Sequence, residues 1–132
     1  MKRYWLLMIS MLLLTGCPDK PNDAISKNAA DEMAKTYVKN EIESSSDEIY
    51  AVYYFNRLDI HQVDIMFWEE SDKLTIKNAY IYFIDECEMA NWGHPCRFMV
   101  VNKTTGAYEI HHRNAPPQTS FDNEWSLLFR RK

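Results

Sequence analysis

Residues 74–88 read LTIKNAYIYFIDECE, a long apolar stretch in which Ala79, Ile81 and Phe83 alternate with Tyr80, Tyr82 and Ile84. A period of two puts successive side chains on opposite faces of an extended chain, and aromatic and β-branched residues suit that conformation. Strand patterns continue on either side. His61–Glu69 sets Val63, Ile65 and Phe67 on one face and Met66 and Trp68 on the other, and Ser71-Asp72-Lys73 turns the chain. Downstream, Arg97–Val101 and Ala107–His112 flank NKTTG at 102–106, a hairpin connection in which Gly106 can take a positive φ. Asn114–Ser120, with Pro116-Pro117, is loop, and Trp125–Phe129 (WSLLF) reads as a final edge strand before the basic tail Arg130-Arg131-Lys132.

Upstream the period changes. Ala30, Met33, Ala34, Tyr37, Val38 and Ile42 fall on one face of a helix over 26–43. Ser26 or Asn28 can cap it, and Asp31 and Glu32 suit its positive end. Residues 48–56 (EIYAVYYFN) have strand composition, although Ser45 and Glu48 carry the spacing of a capping box that would open a short helix. A strand is the preferred reading. The sum is an α+β domain over 26–132, an N-terminal helix packed on a curved antiparallel sheet of four to six strands. This order resembles the cystatin-like and NTF2-like folds of small exported bacterial proteins, a fold-level likeness that implies no activity.

The first residues read as an address. Lys2 and Arg3 precede an apolar run, Tyr4–Leu14, interrupted only by Ser10. A run of about 11 residues makes a helix of about 16 Å, well short of a hydrocarbon core of about 30 Å. Leu14-Thr15-Gly16-Cys17 closes the segment with small residues. It resembles the lipobox of bacterial lipoproteins, which implies lipid on the Cys17 thiol, cleavage after Gly16 and acylation of the new amino terminus. An ordinary signal peptide with a cysteine at its cut is the competing reading. Residues 17–25 then form a tether, opening CPDKPND. About eight residues at about 3.4 Å each keep the domain within about 30 Å of the bilayer. The implied location is the cell envelope, facing the periplasm from the inner or the outer membrane.

Removing residues 1–16 takes away Lys2, Arg3 and no acid, which leaves 13 basic and 19 acidic side chains and a formal net charge of −6. An acidic chain without a clustered basic surface argues against nucleic acid. Sparse glycine and frequent aromatics describe a folded domain.

Cys87 and Cys96 bracket EMANWGHP at 88–95, and in an oxidising compartment the pair reads as a disulfide closing that loop. The alternative is two free buried cysteines. CxxC spacing is absent, as are GxSxG, Walker-type and dinucleotide motifs. His111 and His112 are strand neighbours that point to opposite faces, His61 and His94 lie elsewhere, and no metal site or cofactor is expected. Acidic pairs such as Glu69-Glu70 and Asp85-Glu86 read as solvated faces or strand ends. Nothing here specifies an enzyme.

The partner-binding candidates are Trp92 and His94 in the loop, with Tyr80 and Tyr82 on the sheet. A stapled loop loses less entropy on binding, and tryptophan is a favoured anchor. If a helix covers one side of the sheet, large aromatics on the other face water, a partner or a ligand, unless the segment around Trp125 covers them. The sequence thus points to a membrane-anchored, non-catalytic protein-binding module of the immunity, exclusion or inhibitor kind. An accessory lipoprotein of an envelope assembly complex, or a small ligand-binding or hydrolytic domain, is the alternative.

Overall fold

A computed structural model describes residues 24–59, 61–68, 73–90, 93–118 and 121–131. Cys17, residues 17–23 of the tether and Trp92 lie outside the described residues. Helix α1 (Lys27–Glu41) starts at Ser26, whose Oγ accepts the Ala29 N–H at 3.1 Å. Strands β1 (Ala51–Phe55), β2 (Gln62–Met66), β3 (Lys73–Lys77), β4 (Ala79–Asp85), β5 (Cys96–Asn102) and β6 (Tyr108–Arg113) follow. A single-turn helix α2 (Phe121–Glu124) then leads into β7 (Trp125–Arg130). The main sheet has the order β6-β5-β4-β1-β7, β2 and β3 form a separate two-stranded sheet, and every pairing is antiparallel. The α+β reading is correct, and residues 48–56 supply a strand, β1. The main sheet has five strands, within the four to six expected, and the two-stranded sheet of β2 and β3 adds a second layer.

The second sheet has one cause. The apolar stretch from Leu74 is not a single strand: Asn78 takes φ +45° and divides it into β3 and β4. Asparagine is one of the few side chains that enters the left-handed region readily. Here its N–H donates to His61 O at 2.8 Å, its carbonyl accepts the Lys103 N–H at 3.0 Å, and its side-chain amide donates to Thr104 Oγ1 at 3.0 Å. Residues before Asn78 pair with β2, and residues after it enter the centre of the main sheet.

Both faces of that sheet are therefore covered. On one, Ala30, Ala34, Val38 and Ile42 of the α1 side pack with Val52, Tyr82, Ile84, Met99 and Val101. On the other, Ile65, Phe67, Leu74 and Ile76 of the hairpin layer pack with Phe55, Ile81, Phe83, Phe98 and Trp125. The alternation within 79–84 feeds two separate cores.

A buried polar link ties α1 to the sheet. Tyr82, fully buried, donates its hydroxyl to Asp31 Oδ1 at 2.7 Å. Lys27 Nζ donates to the same carboxylate at 2.7 and 3.0 Å and lies 3.7 Å from the centre of the Tyr54 ring. Asp31 thus serves as a satisfied anchor under the helix and not as a solvated charge near its end.

Two outcomes follow from this arrangement. Asn78→Val forces a β-branched residue into the left-handed region and should cost about 1–2 kcal/mol, whereas Asn78→Gly keeps the turn. Urea denaturation checks this, and equal midpoints for the two variants contradict it. The second outcome is alkaline sensitivity. Burial, then the Asp31 bond, raises the Tyr82 phenol far above its usual range, and burial, then Glu43, pushes Tyr50 up to about 12. Groups raised in the folded state stabilise it fully below their unfolded value near 10 and lose that contribution as pH rises through the folded one. Stability should therefore fall from pH 10 to pH 12, less steeply in Tyr50→Phe and Tyr82→Phe. Identical slopes in all three proteins contradict the assignment.

Candidate interaction site at one end of the sheet

The ends of β1, β4 and β7 meet because their registers align: Ala51 pairs with Asp85 on one side and with Arg130 on the other. Residues just beyond these ends build the site. The Glu88 N–H donates to Ile49 O at 3.1 Å, and the Arg131 N–H donates to Tyr50 O at 3.0 Å. Glu88 Oε1 accepts the Tyr53 hydroxyl at 3.0 Å and also Arg130 Nη2. Arg131 Nη1 donates to Ser46 O at 2.8 Å and its other terminal nitrogen lies 3.5 Å from Asp47. Burial, first of all, raises the Tyr53 phenol, and the bond to Glu88 holds the Arg130 guanidinium more firmly charged.

Ile49 (40 % exposed) and Met89 (73 % exposed) stand in the open beside these groups. With Glu88, Arg130 and Arg131 they line an open groove of about 500 Å³. Apolar side chains flanked by arginine are the composition that protein contacts favour.

The loop after β4 is pinned by charge rather than by sulfur. Asp85 Oδ1 accepts the Cys87 N–H at 3.1 Å and lies 2.6 Å from His94 Nε2, with His94 only 10 % exposed. Arg97 donates to Glu86 Oε1 at 3.0 Å and to the Tyr37 hydroxyl at 2.8 Å, which connects the loop, β5 and α1. Asp85 and Glu86, read as a solvated face or a strand end, stand at the end of β4 and are both engaged.

No disulfide joins Cys87 and Cys96 in the structure, where the sequence reading expects one. The register offsets the two residues. Cys96 lies opposite Asp85, so Cys87 sits two residues past its level on a turn over 86–89. Cys96 is buried and directs its Sγ to the carbonyl oxygens of Ala115 (3.1 Å) and Arg113 (3.6 Å). The sheet candidates are corrected too. Tyr82 is wholly buried, and Tyr80, half-buried, donates its hydroxyl to Ile25 O at 3.0 Å, so neither stands open on the sheet. The helix, not the segment around Trp125, covers that face, and Trp125 belongs to the hairpin-side core. Trp92 lies outside the described residues.

His111 lies 3.3 Å from Glu109, and no group of three His, Cys, Asp or Glu among the described residues could hold a metal ion. Among the same residues no helix is long and apolar enough to cross a membrane. The Ile49–Met89 surface was missed by sequence reading. Its only sequence signal is the basic tail at 130–132, because its members come from three separate segments.

In comparisons with known proteins no family model matches the chain, and no curated protein or solved structure matches it.

The state of the two thiols is checked by maleimide labelling of the unreduced protein. Cys87, partly exposed, should label in the folded state, and Cys96 only after denaturation. A protein that labels at neither cysteine even when denatured contradicts it.

Proposed function

We propose that this chain is a lipid-anchored, non-catalytic protein-binding module of the bacterial cell envelope, facing the periplasm, of the immunity, exclusion or inhibitor kind. One observation carries this reading: the exposed Ile49–Met89 pair with Arg130 and Arg131 sits at the end of the sheet opposite the tether. The tether joins at the other end, where the Ile25 N–H donates to Lys103 O at 2.8 Å beside the Gly106 turn. β4 runs between the two ends, a span of about 20 Å at about 3.3 Å per residue. An anchor at Cys17 leaves such a surface clear of the bilayer.

The charged groups at this end support a binding role over a catalytic one. Asp85, Glu86, Glu88, His94 and Arg97 are all engaged in contacts that hold loop to strand.

A photo-crosslinking residue placed at Met89 of the full chain, in its native envelope, tests the proposal. It should trap one protein of discrete mass, and Ile49→Asp should reduce the adduct at least tenfold. Cys17→Ala should release the protein from the membrane fraction. A folded, anchored protein that traps nothing from Met89, or a Cys17→Ala variant that stays on the membrane, contradicts the reading.

A further inference from the structure

The two edges of the main sheet differ. β7 meets β1 with a register shift between Val52 and Tyr53, and such an irregularity bends a strand and blunts its edge. β6 meets β5 without interruption from Cys96↔Arg113 to Val101↔Tyr108. Its phase is fixed at the turn, where the Asn102 N–H donates to Ala107 O at 2.8 Å. Hydrogen-bonded pairs alternate along an antiparallel ladder, so Ala107, Glu109, His111 and Arg113 turn their backbone groups to β5. Tyr108, Ile110 and His112 turn theirs outward. Among the described residues the one bond that these outward groups make is from Arg113 Nη1 to His112 O, at 2.8 Å, which leaves that oxygen a second lone pair.

We infer that this edge pairs with the same edge of a second copy of the chain, antiparallel and centred on Ile110. The sequence of β6 is self-complementary in that register. Ile110 meets Ile110 of the other copy, Tyr108 meets His112, and Glu109 meets His111. Glu109 and His111 already lie 3.3 Å apart within one chain, so the pairing gathers two acids and two histidines into one alternating cluster. The neighbouring registers are poorer. A shift one way sets Glu109 against Glu109, and like charges directly opposite are destabilising. A shift the other way sets His111 against His111 and calls on Arg113, which already lies 4.9 Å from the centre of the Phe67 ring.

The two-fold axis stands perpendicular to the sheet, so both α1 helices stay on one face of a continuous ten-stranded sheet, twice the five strands of one copy. The pairing is independent of the proposed function, because β6 and the Ile49–Met89 surface lie at different places on the sheet.

Cysteine crosslinking of the full chain in its own membrane, on a Cys87→Ser background, tests it. Cα atoms of a hydrogen-bonded antiparallel pair lie about 5.5 Å apart, within disulfide reach. Ile110→Cys should therefore give a covalent dimer under mild oxidation. His112→Cys, about 13 Å from its own counterpart, should give at least tenfold less, as should Leu127→Cys on β7. His111→Glu should abolish the Ile110→Cys dimer by opposing Glu109, and Glu109→Lys with His111→Glu should restore it. Absence of the Ile110→Cys dimer, equal yields at 110, 112 and 127, or a double charge swap that fails to restore it overturns the inference.

Discussion

The left-handed turn at Asn78 is the constraint on which the rest of the architecture depends. It divides one apolar run between a surface hairpin and the central strand of the main sheet. An uninterrupted strand would carry Leu74 and Ile76 along the direction of β4. The turn instead sends them, with Ile65 and Phe67, across the Phe83 and Phe98 side of the sheet. The three polar contacts at Asn78, to His61, Lys103 and Thr104, hold the hairpin layer to the end of the sheet where the tether also arrives.

With both faces covered, the polar groups that remain inside must be matched. Asp31 is held by Lys27 and by Tyr82, Arg97 by Glu86 and Tyr37, and Glu88 by Tyr53 and Arg130. Apart from Lys27–Asp31, which lies within α1, each pairing joins side chains from different elements, and a partner lost at such a site leaves a polar group unsatisfied. These links fix where α1 sits and how the loop after β4 is held, and the loop in turn positions Met89. The architecture therefore determines the candidate surface through charge pairing at the strand ends.

What the sequence made legible was local. The Ser26 cap, the Ala30–Ala34–Val38–Ile42 stripe and the Gly106 turn are set by a few neighbouring residues, and each appears as read. The edge strand at the end of the chain appears as well, as β7. What stayed hidden depended on partners far along the chain. The signal at Asn78 is slight, two successive polar residues at Lys77-Asn78 inside the apolar stretch, and no glycine or proline marks the turn. The spacing of Cys87 and Cys96 suggested a staple, but the register that sets Cys96 against Asp85 is decided by β4–β5 pairing over seven residues. Tyr80 and Tyr82 looked like an open aromatic face because sequence periodicity cannot say which face the helix takes. Asp85 and Glu86 looked solvated because His94 and Arg97 reach them from across the loop.

The exposed Ile49 and Met89 at one end of the sheet are framed by Arg130 and Arg131. That organisation rests on the sheet being covered on both sides. Methyl–aromatic nuclear Overhauser contacts test this most directly. The account predicts contacts from Ala34 to the Tyr82 ring and, separately, from Ile65 and Ile76 to the Phe83 and Phe98 rings. A protein in which the Ile65 and Ile76 methyls show no contact with those rings, and in which residues 74–85 form one continuous strand, contradicts it.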